Sequence, residues 1–127
     1  PTMTPHGQFH WNELLTWDAA RAKRFYSATL GWTYEDMPMD GQSYHVCIYD
    51  GKPVAGIFQM PKGKGMDGVP ENWFAYISVD DLDARLALLV KNGGRIMREP
   101  FEVPGVGRIA IVADDGGAAM GWMVPMA

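Results

Sequence analysis

Apolar and polar positions change their period along this chain in a fixed order, and the order occurs twice. Residues 11–18 (WNELLTWD) are mainly apolar, of strand length, and end at Asp18. Residues 73–80 (WFAYISVD) do the same and end at Asp80. An aspartate there can accept a hydrogen bond from the free N–H groups of a following helix's first turn, so Asp18 and Asp80 (or Asp81) are read as N-caps. Ala22, Phe25, Tyr26 and Leu30 then recur at helical spacing, as do Leu82, Leu86, Leu89 and Val90, and each set stops at a glycine, Gly31 or Gly93. The spacing predicts helices over 19–30 and 82–92. After each helix the pattern shortens to extended runs between turn residues. Strands are predicted over 32–36, 44–49 and 54–60, with turns at Asp40-Gly41 and Asp50-Gly51. A second set is predicted over 95–98, 108–113 and 118–124, with turns near Pro104-Gly105 and at Asp115-Gly116-Gly117.

Each half therefore reads as strand, helix and three strands, and the halves are in register as a repeat. Trp11 and Trp73, Asp18 and Asp80, and Gly31 and Gly93 all stand 62 residues apart. The units run over about 8–61 and 72–125, joined by a Gly- and Pro-rich linker at 62–71. A unit of roughly 60 residues buries little surface alone, so the 127 residues are expected to form one domain with a shared core.

Composition narrows the partners. Apolar residues make up 47% and charged residues 20%, which suits a folded domain. Lys plus Arg number 11 against 15 Asp plus Glu, a net charge of −4, which disfavours nucleic acid and anionic membrane as partners. The single cysteine, Cys47, can form no intrachain disulfide, so a reducing cytoplasm is expected. No run of about 18 apolar residues exists to span a membrane, and no export signal is read at the N-terminus.

Asp18 followed by Phe25-Tyr26 and Leu30-Gly31-Trp32, the strand end Ser78-Val79-Asp80 and the turn Asp114-Asp115-Gly116-Gly117 together resemble the vicinal oxygen chelate superfamily. Glyoxalase I, extradiol dioxygenases, fosfomycin-resistance enzymes and bleomycin-resistance proteins belong to that group. The resemblance covers nearly the whole chain and implies an α+β fold, in which two βαβββ units form one open mixed-sheet barrel around a pocket, with the helices on the convex side. It also implies self-association, since such proteins usually pair as homodimers. Relatives commonly hold a divalent metal with His, Glu or Gln, and the four corresponding positions here are Trp11, Gly56, Phe74 and Gly121. An indole N–H only donates, and phenyl and glycine side chains carry no lone pair. No metal and no cofactor are therefore expected.

Strand alternation extends that face to Glu13, Phe58, Tyr76 and Met123. The expected ligand-binding set is Trp11, Glu13, Phe58, Phe74, Tyr76 and Met123, an apolar and aromatic cavity in which Gly56 and Gly121 leave open space. The other reading is that these aromatics fill the volume a metal centre takes up in relatives. Glu13 is the one ionisable group of the set and the candidate catalytic acid or base. Its alternative is a structural carboxylate paired with Tyr76 or with an arginine such as Arg108. A metal set of His10, Glu13 and His45 would need a changed strand register. Cys47 reads as an ordinary buried thiol. Met37, Met39, Met60, Met66 and Met123 either line the cavity or fill gaps. Lys62 and Lys64 lack interleaved aromatics, and Gly105-Val-Gly107 lacks the rest of a dinucleotide fingerprint.

Three functions follow as expectations. The first is a glyoxalase- or bleomycin-resistance-like protein that binds a small, partly apolar organic molecule without metal. The second is a metal-independent lyase or isomerase that uses Glu13 as acid or base. The third is a structural or regulatory dimer with a vestigial site.

Overall fold

Both helices start where an aspartate caps them. In the computed structural model, which describes residues 5–39 and 42–126, Asp18 accepts from the Arg21 N–H at the start of α1 (Ala19–Leu30), and Asp81 accepts from the Ala84 N–H at the start of α2 (Leu82–Lys91). Gly31 ends α1 in the left-handed conformation, φ 76°. The turn expected at Asp40-Gly41 lies outside the described residues. The fold is α+β, and the described residues form two helices and eight strands in two βαβββ units.

The first unit, residues 11–73, holds most of β1 (Phe9–Thr16), then α1, β2 (Thr33–Met39), β3 (Gln42–Tyr49) and β4 (Lys52–Gln59). Its strands lie in the order β2-β3-β4-β1, with β1 parallel to β4 and the other pairs antiparallel. Leu14, Ala19, Ala22, Cys47, Ala55 and Ile57 form the core beneath α1, with Tyr26, Trp32 and Tyr34 packed against it. Phe25 and Leu30, expected on the same stripe, are 53% and 49% exposed, so only the Ala22 and Tyr26 side of the helix meets the sheet. Residues 62–71 belong to this unit: the Trp17 indole donates to the Val69 carbonyl at 2.9 Å, and Arg21 pairs with Glu71.

The second unit groups the described residues before Trp11 with those from Phe74 onward. Gly7 N–H donates to the Ser78 carbonyl and Ser78 N–H to the Gln8 carbonyl, which ties the chain's start to the end of β5 (Asn72–Ser78). The order here is β5-β8-β7-β6, with β6 at Arg95–Val103, β7 at Gly107–Ala113 and β8 at Ala119–Pro125. Strand β5 runs parallel to β8, and the rest are antiparallel. Leu82, Leu86 and Leu89 bury one face of α2 against Val79, Ala110 and Val112, while Val90 falls off that stripe and is exposed.

Two strands run three or more residues past their expected ends, and both contain a proline. Strand β2 continues through Pro38 and β6 through Pro100. A proline cannot donate to a ladder, but each of these strands pairs on one side only within its unit, where a missing donor costs little. The pairing of β6 with β7 slips on either side of Arg98, the local irregularity that accommodates Pro100. Among the described residues, no helix is long and apolar enough to cross a membrane.

Candidate functional site

The two faces of the first unit's sheet carry different chemistry. Leu14, Cys47, Ala55 and Ile57 face α1, so their neighbours in sequence project from the opposite face. That alternation places Trp11 and Glu13 of β1, Gly56 and Phe58 of β4, and Tyr44 and Val46 of β3 together. Glu13 pairs with Gly56, and Gly56 with Val46, across the ladder.

Tyr44 is the centre of this face. Its ring lies over Gly56 so closely that a Cβ built there would come within 1.6 Å of the phenol oxygen and 2.3 Å of Cζ. The Trp11 indole Nε1–H donates to the Tyr44 oxygen at 2.9 Å. The Tyr44 hydroxyl in turn is hydrogen-bonded to Glu13. Burial pushes the Tyr44 phenol well above its ordinary value, and the nearby Glu13 carboxylate pushes it further, so Tyr44 stays a neutral donor at any physiological pH. Glu13 is itself buried.

The open space expected over Gly56 is therefore filled by Tyr44, and that expectation is corrected. The same holds at Gly121 in the second unit. A Cβ there would lie 2.3 Å from Cδ1 of Tyr76, the residue paired with Gly121 across β5 and β8. In both places the missing side chain makes room for a tyrosine ring from a neighbouring strand. Phe74 and Tyr76 meet edge to face at 5.4 Å, and Met123 is buried in the same unit. Thus Trp11, Glu13 and Phe58 stand in the first unit, and Phe74, Tyr76 and Met123 in the second.

The suggested partner Arg108 is otherwise engaged: both its terminal nitrogens donate to Asp83 at 3.2 Å. His45 sits on the helix side of β3, where its Nδ1 meets Asp36 and lies 3.5 Å from the Lys23 ammonium. It cannot join Glu13 in a metal set without a flip of the strand. Cys47 is fully buried, and burial pushes its thiol up to about 12, so it is an inert core residue.

Among the described residues, no three His, Cys, Asp or Glu side chains gather where they could hold a metal ion. Of the four positions that the resemblance assigns to metal ligands, Trp11 gives its N–H to Tyr44, and Gly56 and Gly121 are covered by tyrosine rings. The donor set does not fit a divalent metal.

The family model described as "Glyoxalase/Bleomycin resistance protein/Dioxygenase superfamily" matches residues 8–120. The chain belongs to this superfamily. Proteins of Mycobacterium bovis and Mycobacterium tuberculosis named as glyoxylases are 38% identical over 117 residues, which is 91% of this chain and 44% of theirs. An anthracycline biosynthesis protein of Streptomyces peucetius is 34% identical over 120 residues, 86% of this chain and 44% of that protein. This chain thus spans less than half the length of these relatives. Among solved structures, methylmalonyl-CoA epimerase of Mycobacterium tuberculosis superposes with a TM-score of 0.65 at 18% identity, covering 99% of this chain and 94% of that one. The hypothetical protein BH1468 of Bacillus halodurans superposes with a TM-score of 0.71 at 12% identity, covering 95% and 96%. At these identities the likeness is one of fold.

Sequence reading missed Tyr44. The signal was present in Gly56, since a glycine amid apolar strand residues marks the close approach of another group, and Tyr44 stands on the neighbouring strand's matching face.

Proposed function

We propose that this superfamily member binds a small, partly apolar organic molecule without the help of a metal, and that Glu13 handles that ligand. The observation that carries this reading is the buried Glu13 carboxylate, held by Tyr44 on a face shared with Trp11 and Phe58. A carboxylate on an otherwise apolar and aromatic face is the kind of polar group that fixes the orientation of a partly apolar ligand. The second reading, a metal-independent lyase or isomerase with Glu13 as acid or base, draws support from the same carboxylate and from the epimerases that share the fold. We place the protein in a reducing compartment on the ground of its single buried thiol.

A thermal-shift and NMR screen of small aromatic and carbonyl compounds tests the proposal, with Glu13→Gln run beside the parent chain. Ligands that bind the parent at least tenfold more tightly than the variant are expected. Binding indifferent to the substitution removes Glu13 from the site. Elemental analysis of protein purified without chelator is expected to find no stoichiometric first-row metal. About one equivalent of Zn, Ni, Fe or Mn per chain would overturn the metal-free reading.

We further infer a homodimer. Its support is the size of the relatives, more than twice the aligned length, and the edge strands β2 and β6, which offer unpaired backbone groups. Light scattering at micromolar concentration is expected to give about twice the 14.1 kDa chain mass. A monomer at that concentration refutes it.

A further inference from the structure

Tyr44 occupies a corner that holds a hydrogen-bond donor, an acceptor and a bare glycine floor. The donor is the Trp11 indole N–H, 2.9 Å from the phenol oxygen. The acceptor is the Glu13 carboxylate, to which the phenol is hydrogen-bonded. The floor is Gly56, bare enough that the phenol oxygen and ring carbon stand 1.6 and 2.3 Å from where a Cβ would be. The polarity of this chain is fixed. An indole can only donate, so the phenol oxygen must accept from Trp11, and its single proton must go to Glu13.

We propose that Trp11, Glu13 and Gly56 form a subsite for a phenolic or enolic hydroxyl on a flat ligand, and that such a ligand takes the place of the Tyr44 ring. The inference rests on the reading of Glu13 as the ligand-handling group and adds the chemical class of what it handles. Other classes fit less well. A carboxylate would meet Glu13 with like charge. A hydrocarbon ring would leave the half-buried Trp11 N–H without its acceptor. An aliphatic alcohol satisfies the two hydrogen bonds but not the flat space against the glycine. A phenol or a conjugated enol does both.

The test vacates the corner and offers it the missing group. Tyr44→Ala in the full chain is titrated with p-cresol, 4-methylanisole and toluene, and the Trp11 indole N–H resonance is followed by NMR. The three compounds share a ring and differ in the hydroxyl. Saturable binding of p-cresol, roughly tenfold or more tighter than either control, is expected from a hydrogen bond to a charged group. Adding Trp11→Phe should then reduce that preference. Equal binding of all three, or no p-cresol binding by the folded variant, overturns the proposal.

Should Tyr44→Ala fail to fold, the parent chain is titrated instead. Millimolar p-cresol should shift both the Trp11 indole and the Tyr44 ring resonances, with toluene leaving them in place. Unmoved resonances overturn the proposal. If another ligand proves to need Glu13 while p-cresol fails, only the subsite falls. If ligand binding ignores Glu13→Gln, the broader reading falls first.

Discussion

Replacing Gly107 by alanine is expected to lower the unfolding free energy by about 3 kcal/mol or more, among the largest single-site effects in this chain. Gly107 opens β7 with φ 151°, a conformation that L side chains rarely adopt. A Cβ there would lie 2.3 Å from the Val124 carbonyl oxygen and 3.0 Å from the Pro125 Cα. Both obstacles are backbone, so neither can swing aside as a side chain would. The β7 ladder pairs Gly107 with Val103 on one side and Pro125 on the other, which holds it from both flanks. Gly105 supplies the comparison. It has φ 79° but nothing within 4 Å of its Cβ position, so Gly105→Ala meets only the conformational penalty, about 1 kcal/mol. Denaturant unfolding of the two variants separates the contributions. Equal losses would mean that the backbone around Gly107 yields freely, and that the clash carries no weight.

The same glycines show how far the sequence could be read. Helix positions were legible because caps and spacing act locally: Asp18 and Gly31 bound α1 where the pattern places them. Of the two candidate caps for the second helix, Asp81 is the one used, and Asp80 binds Arg85 through two hydrogen bonds, a choice that the alternation of residue types does not reveal. Strand ends were less legible. The expected strands stop at residues 36 and 98, but β2 runs on through Pro38 and β6 through Pro100, each tolerated on a strand paired on one side within its unit. Strand order is decided by tertiary pairing and not by local propensity.

The candidate site was half legible. Periodicity of two assigned Trp11 and Glu13 to one face, but it could not say what fills the volume above a glycine. Gly56 and Gly121 suggested emptiness because the residue itself has no side chain. The structure fills each with a tyrosine from an adjacent strand, a cross-strand relation that depends on register. Gly56 marks the close approach of some group, but only the pairing of Val46 with Gly56 makes that group Tyr44. The Tyr44 phenol is a partner of Glu13 that the reading from the sequence, with Tyr76 or an arginine as candidates, did not name.

That partner sets the second large prediction. A buried carboxylate paired with arginine would leave an uncompensated cation when neutralised, at a cost of roughly 3–5 kcal/mol. Arg108 is bound to Asp83 instead, and the hydroxyl of Tyr44 carries no charge to strand. Glu13→Gln keeps a carbonyl acceptor for that hydroxyl and relieves the burial of a charge. Its stability is therefore expected within about 1 kcal/mol of the parent, or above it. Tyr44→Phe acts in the opposite direction. It keeps the ring over Gly56 but takes the acceptor from the Trp11 N–H and a donor from Glu13, and the expected cost is about 2–3 kcal/mol. The double variant should recover part of that loss, because a neutral amide in place of Glu13 suffers less from the missing phenol than a carboxylate does. The coupling between the two sites is expected at about 1 kcal/mol or more. Denaturant unfolding of the four proteins at neutral pH measures it. Strict additivity would separate Glu13 from Tyr44 energetically, and a loss of several kcal/mol for Glu13→Gln alone would make the carboxylate a structural strut and remove it from ligand handling.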